Sequence, residues 1–231
     1  PLRALIERHV DGDFMRKIGE AHLQGRRLYI GTADLDSRQF IVWNMGLIAI
    51  SGRAESLELF HKIMLASASI PVAFPPVFFE VEVDGRRYDE MHVDGGVGAR
   101  VFFNEGLYSS SIVRTRGGLG KGREDIYVIH NGQLVSVPDP VRRSLPSISM
   151  RVIDFSGRSA VVGDLFRIYG DATREQANFR WVTIPDDVSM ESDEVFDPTS
   201  MTALYDIGYR LAVGRNAWAV MPPGRQQGYL H

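Results

Sequence analysis

An acid followed by two glycines, Asp94-Gly95-Gly96, closes a strand-like run in the stretch MHVDGG, residues 91–96. In an α/β protein a carboxylate at the end of a strand points toward the crevice where ligands bind. Glycines after it let the backbone turn sharply and keep the space beside the acid clear. Such an acid could act as a general base, taking a proton from a nucleophile within hydrogen-bond reach. The same three residues also make an ordinary tight turn. His92 lies two residues before Asp94, which puts both side chains on one face of a strand. A Ser–His–Asp relay would need that imidazole to touch both partners; a structural histidine is the simpler reading. Ser67 and Ser69, in the segment LASAS, read better as small residues that allow close packing at a helix end than as nucleophiles.

Other chemistries find less support. The chain has no cysteine, which removes disulfides, thiol nucleophiles and thiolate metal sites. No two of its six histidines lie within ten residues of each other, so there is no short two-histidine ligand pattern and no metal is expected. The stretch GGLGKGRE, residues 117–124, looks like a phosphate loop, but Gly122 follows Lys121 where Walker A needs Ser or Thr. With Arg114 and Arg116 it reads as a solvated basic loop. Its functional alternative is contact with anionic headgroups; Phe102, Phe103, Leu107 and Tyr108 just before it could make the loop amphipathic, but read better as buried core. The formal net charge is −3 over 231 residues, so no global basic field points to nucleic acid. Hydrophobic residues make up 44% and charged residues 24%, the balance of a globular protein with a sizeable core. No apolar run approaches the roughly 20 residues of a membrane span.

The elements that must position Asp94 can be read from periodicity. Residues 1–10 predict a helix with Leu2, Leu5 and Ile6 on one face, and residues 13–24 a second, capped by Asp13 and stopped by Gly25, with Phe14, Ile18 and Ala21 inward. RRLYIGTADL and QFIVWNMG predict two strands joined by the turn DSRQ. ESLELFHKIMLASAS places Leu57, Phe60, Ile63 and Met64 at helical spacing, and Pro71, Pro75 and Pro76 keep the following stretch extended. Asp84-Gly85 between two strand-like runs predicts a tight hairpin whose second strand runs into Asp94. DIYVIHNG reads as a buried strand, residues 136–150 as irregular, residues 157–179 as helix, and RWVTIP as a short edge strand. Asp197 caps a last helix with Pro198 at its first position and Met201, Leu204, Gly208, Leu211 and Ala212 as its packed face. With no repeat or composition break, residues 1–231 read as a single α/β domain.

The order of these blocks resembles the patatin-like phospholipase family, in its bacterial subgroup. Ala66, Ser67, Ala68, Ser69, Pro71, Phe74 and Pro75 fit the family's Ala-Ser segment at a helix end, and Asp94, Gly95 and Gly96 fit its later Asp-Gly-Gly. GTADLD and the C-terminal FDPTSMTALYDIGYRLA are similar to segments of bacterial members, so the resemblance touches most of the chain. It implies a three-layer α/β/α fold with a mostly parallel central sheet. It implies lipid acyl-ester hydrolysis, of phospholipase A or lysophospholipase type, by a Ser–Asp dyad. Asp94 is then the general base, Gly95 and Gly96 shape its turn, and Pro71 supports the cleft wall. The dyad needs neither cofactor nor metal. The substrate is a lipid or another acyl ester, with contact to a membrane surface as a further expectation and no nucleic-acid partner.

The chain departs from the family in one respect that matters for activity. It contains no Gly-x-Ser-x-Gly, and the nearest approach, GRSAV at residues 157–161, lies after Asp94 rather than before it. The upstream glycine cluster of the oxyanion hole is missing as well. The first residues look like those just downstream of the nucleophile helix, so the N-terminal strands and the serine are expected upstream of Pro1, and this chain alone should be inactive. Two alternatives stand beside this reading: a non-catalytic lipid-binding or scaffolding relative, and an unrelated α/β binding module in which Asp94 is a turn residue.

Overall fold

A computed structural model describes residues 2–103, 124–135, 138, 140–188, 197–214 and 217–224. Residues 104–123, with most of the basic loop and with Leu107 and Tyr108 of its flank, lie outside the described residues. The protein is a mixed α/β molecule with two sheets. Its chain divides into two compact units, residues 1–100 with 141–157, and residues 101–140 with 158–231.

The first unit opens with helices α1 (Leu2–His9) and α2 (Gly12–Leu23). The α2 cap is Asp11, whose side chain accepts from the Phe14 N–H at 2.8 Å. Asp13, expected in that role, instead forms ion pairs with Arg16 and Lys17 in the first turns. Those cations and their hydrogen bonds lower its pKa to about 2. The buried line of α2 is Met15, Gly19 and His22; of the residues expected inward, Ile18 packs against the core, Ala21 is half-buried and Phe14 is exposed. That line meets α3 (Met45–Ile50), a short helix absent from the sequence reading. A methyl on Gly46 would sit 2.2 Å from His22 Nδ1, so glycine there lets the two helices touch.

Strands β1 (Tyr29–Asp34) and β2 (Gln39–Asn44) form the expected hairpin, and α4 (Ser56–Ser67) follows. Strands β3 (Val77–Val83) and β4 (Arg86–Asp94) form the second hairpin. Asp84 and Gly85 both have positive φ, 52° and 73°, the signature of a type I′ turn whose twist suits a two-residue hairpin. The sheet order is β2-β1-β4-β3, antiparallel at every junction. A mostly parallel central sheet is therefore not what these strands make, because two tight hairpins already commit all four to antiparallel pairing.

One face of this sheet carries Ile30, Trp43, Val77 and Phe79, which pack with Ile6, Met15, Met45, Phe60, Ile63 and Ala66 from the four helices. On the other face Ala33 and Val93 are also buried. β3 alternates buried and exposed positions along VFFE, as a half-covered strand must.

The second unit is built on β5 (Asp125–His130) and β6 (Asn178–Thr183), paired in parallel over their whole length. Parallel neighbours need a long crossover, supplied here by α5 (Leu145–Arg174). That helix starts well before the expected residue 157, because Pro146 occupies its first turn, where proline's missing N–H costs nothing. Val161, Leu165, Ile168 and Ala172 form the stripe that covers Ile126, Val128, Phe179 and Trp181. Trp181 also donates its indole N–H to the Met221 carbonyl at 2.8 Å. The last helix, α6 (Pro198–Val213), is capped as expected, Asp197 accepting from the Ser200 N–H at 2.7 Å. Its five expected packing residues all face a cavity of about 460 Å³ against β5 and β6. None of them is fully buried, so this face lines a space instead of filling a core.

Candidate active site

Asp94 is the last residue of β4 and caps a 3₁₀ turn, Gly95–Val97. Three contacts fix it. Its N–H donates to the Ser69 carbonyl at 3.0 Å, tying the strand end to the segment that leaves α4. Across the sheet it stands opposite Thr32 of β1. Its Oδ1 accepts the Gly96 N–H at 2.7 Å. No described residue hydrogen-bonds its Oδ2, and the side chain is half-buried. A carboxylate with one oxygen used to orient it and the other not hydrogen-bonded by any described residue can accept a proton in a fixed direction.

The glycines after it earn their place by contact. A methyl on Gly95 would lie 2.5 Å from the Gly31 carbonyl oxygen and 3.1 Å from the Phe40 ring. Backbone cannot yield as a flexible side chain can, so the first turn after Asp94 presses directly on β1. Gly96 is less confined: its methyl would meet Asp94 Oδ1 at 3.0 Å and the Arg100 stem at 3.3 Å.

Pro71 is half-buried in a turn in which the Ala73 N–H donates to the Ile70 carbonyl at 3.2 Å. Val72 follows with φ 71°. Proline and then a positive φ is the pattern of a type II turn, whose third position normally holds glycine. A β-branched residue there is strained. This strain lies within three residues of Ser69, whose carbonyl holds the Asp94 backbone.

Neither candidate serine is a nucleophile in this arrangement. Ser69 is buried and its hydroxyl donates to the Leu65 carbonyl at 2.8 Å, closing the last turn of α4. Ser67 is the last residue of α4 and half-buried. Among the described residues no serine hydroxyl reaches the Asp94 carboxylate. His92 is fully buried, with Nδ1 2.9 Å from the Thr32 hydroxyl, which in turn accepts the Trp43 indole N–H at 2.7 Å. It makes no hydrogen bond to Asp94.

The antiparallel register adds a group that spacing along the chain conceals. Asp34 stands directly across from His92, and Glu90 lies two residues before it on the same face. The ligand-capable atoms of Asp34, Glu90 and His92 all fall within 4.8 Å of one another. Asp34 is buried. Burial alone would raise its pKa, but hydrogen bonds from the Ser37 hydroxyl and the Asp36 and Ser37 backbone outweigh it, and the carboxyl is held below its ordinary value. The signal for this cluster is the strand period of two joined to the β1–β4 register, and the register is invisible without the fold.

The chain matches no family model. A search of curated proteins likewise finds no match.

Proposed function

We propose that this chain is the base-bearing part of a lipid acyl-ester hydrolase of patatin-like, phospholipase A or lysophospholipase type. Asp94 is the general base of a Ser–Asp dyad whose serine lies outside residues 1–231. The observation that carries the reading is the Asp94 carboxylate itself. It is oriented through Oδ1 by the Gly96 N–H, open at Oδ2 to any described partner, and seated where Gly95 contacts β1. In the proposed reaction Asp94 takes the serine proton as the hydroxyl attacks the ester carbonyl. The alcohol leaves with that proton from Asp94; water, deprotonated in turn by Asp94, then attacks the acyl carbon, and the proton returns to the serine oxygen as the acid is released. Further strands and the elbow helix would complete a three-layer fold around the antiparallel sheet.

The deciding experiment is hydrolysis of short p-nitrophenyl esters by the chain extended with its natural preceding residues. Asp94→Asn should reduce kcat by roughly 10²–10⁴-fold, the usual cost of losing a general base. Turnover at the wild-type rate in that variant would sink the assignment.

One observation favours the second reading, a lipid-binding protein without turnover. The first half of α5 exposes Leu145, Ile148, Val152 and Phe155, the outermost 79% and 69% accessible at Leu145 and Phe155. Their spacing of three and four places them on one helical stripe, and Arg142 and Arg143 stand exposed just before it. An apolar stripe with cations at its end suits an anionic membrane surface.

A further inference from the structure

We propose that Asp34, Glu90 and His92 form a binding site for a divalent transition metal such as Zn²⁺, separate from the proposed dyad chemistry. The imidazole has one nitrogen already committed: Nδ1 is 2.9 Å from the Thr32 hydroxyl, itself held by the Trp43 indole. That leaves Nε2, which lies 3.5 Å from Glu90 Oε2. A metal-bound histidine characteristically has its second ring nitrogen fixed by such an outer partner, which sets both tautomer and ring plane. The ring is also held in place by Phe79, with centroids 4.6 Å apart, and by Trp43 at 5.9 Å.

The distance from His92 Nε2 to Glu90 Oε2 is 3.5 Å. A charge-assisted hydrogen bond between a protonated imidazole and a carboxylate would close to about 2.7–2.9 Å. Two ligand atoms on a tetrahedral ion with bonds of roughly 2.0–2.1 Å are separated by roughly 3.3–3.4 Å. The observed gap matches the edge of a coordination shell better than it matches a direct bond. Charge points the same way. Asp34 is only 3% exposed, and among the described residues neither Asp34 nor Glu90 is paired with a lysine or arginine. Asp34 is kept ionised by the Asp36 N–H on Oδ1 and the Ser37 hydroxyl on Oδ2, and each carboxylate oxygen keeps a second lone pair with which it can bind a cation shared with Glu90.

The ligand set chooses the ion class. One imidazole and two carboxylates suit borderline ions such as Zn²⁺ or Mn²⁺, whereas Ca²⁺ and Mg²⁺ prefer all-oxygen shells. Glu90 is half-exposed, its side chain 35% accessible, so the shell can be completed by water from that side. Bound there, the ion would clamp the end of β1 to β4, two residues from Asp94.

The test is Zn²⁺ titration of the full chain after treatment with EDTA, followed by calorimetry and thermal melting. One equivalent should bind saturably and raise Tm. Glu90→Gln, at a half-exposed position, should leave the metal-free Tm unchanged and weaken binding at least about tenfold, no less than the loss of an outer partner costs. X-ray absorption of the wild-type Zn²⁺ complex should show a single imidazole among oxygen ligands, a readout that needs no variant. Lack of saturable binding, equal affinity in Glu90→Gln, or a shell with two or more imidazoles would each overturn the site.

Discussion

The turn after Asp94 rests on Gly31: a methyl on Gly95 would stand 2.5 Å from the Gly31 carbonyl oxygen and 2.7 Å from its carbonyl carbon. Since both positions are backbone, neither can move without shifting β1. Gly95→Ala should therefore destabilise the protein by about 1–3 kcal/mol, the usual range for overpacking. Gly96→Ala, which meets mainly the flexible Arg100 side chain and the Asp94 carboxylate, should cost less. Urea denaturation of the two variants checks the order, and a larger loss at Gly96 would contradict it.

The cap and base roles of Asp94 can be separated by substitution. Asn caps a helical turn about as well as Asp, whereas Ala removes the acceptor at a cost of about 0.5–2 kcal/mol. Asp94→Asn should thus melt close to wild type while losing ester turnover, and Asp94→Ala should lose both. Equal melting temperatures for the two variants would mean that the bond to the Gly96 N–H contributes nothing to stability.

Val72 holds a left-handed backbone, φ 71°, in the turn that carries Pro71. For a residue with a Cβ that conformation costs roughly 1–2 kcal/mol. Glycine removes the strain but loses more chain entropy on folding, about 0.5–1 kcal/mol. The net expectation for Val72→Gly is a gain of up to about 1 kcal/mol, read as a higher urea midpoint. A clear loss would show that the exposed Val72 side chain makes stabilising contacts.

The carboxyl of Asp197 is held below its ordinary value of 3.8 by hydrogen bonds from the Ser200 side chain and the Ser200 and Thr199 backbone N–H groups. A depressed folded-state pKa means the charged form is favoured by folding. Its contribution is complete above the unfolded value and fades as pH falls through the lower folded one. NMR titration of the Asp197 carboxyl should give a midpoint below 3.8. Asp197→Asn should make fraying of α6 insensitive to pH in that acid window, and a midpoint at or above the ordinary value would refute the account.

The exposed stripe of α5 gives the lipid reading a test independent of catalysis. Replacing Val152 and Phe155 by Ser should reduce co-sedimentation with vesicles containing phosphatidylserine. Folding stability should shift by no more than about 0.5 kcal/mol per site, since both side chains are exposed. Undiminished sedimentation would remove the stripe from any membrane contact.

How far each feature could be read in advance depends on the range of the forces behind it. Local chemistry was enough for the Asp84-Gly85 hairpin, the Asp197 cap with Pro198, the α4 stripe through Phe60 and Ile63, and Asp94 at the end of its strand. Each is set by backbone torsions and side chains a few residues apart. Where several local solutions competed, the reading slipped: Asp11 and Asp13 both suit a cap, and tertiary burial of Met15, Gly19 and His22 chose the register in favour of Asp11. Residues 145–150, expected to be irregular, belong to α5 with Pro146 in its first turn, because packing of Val161 and Leu165 on the parallel strands rewards a long crossover helix. The pairing of β1 with β4, which joins the two hairpins, and with it the meeting of Asp34, Glu90 and His92, was decided by the tertiary register. Register brings together residues far apart in the chain, and no periodicity records which strand will lie beside which. The acid that opened the question was visible from six residues; its neighbours, the Ser69 carbonyl, Gly31 and Thr32, exist as a site only once the sheet has formed.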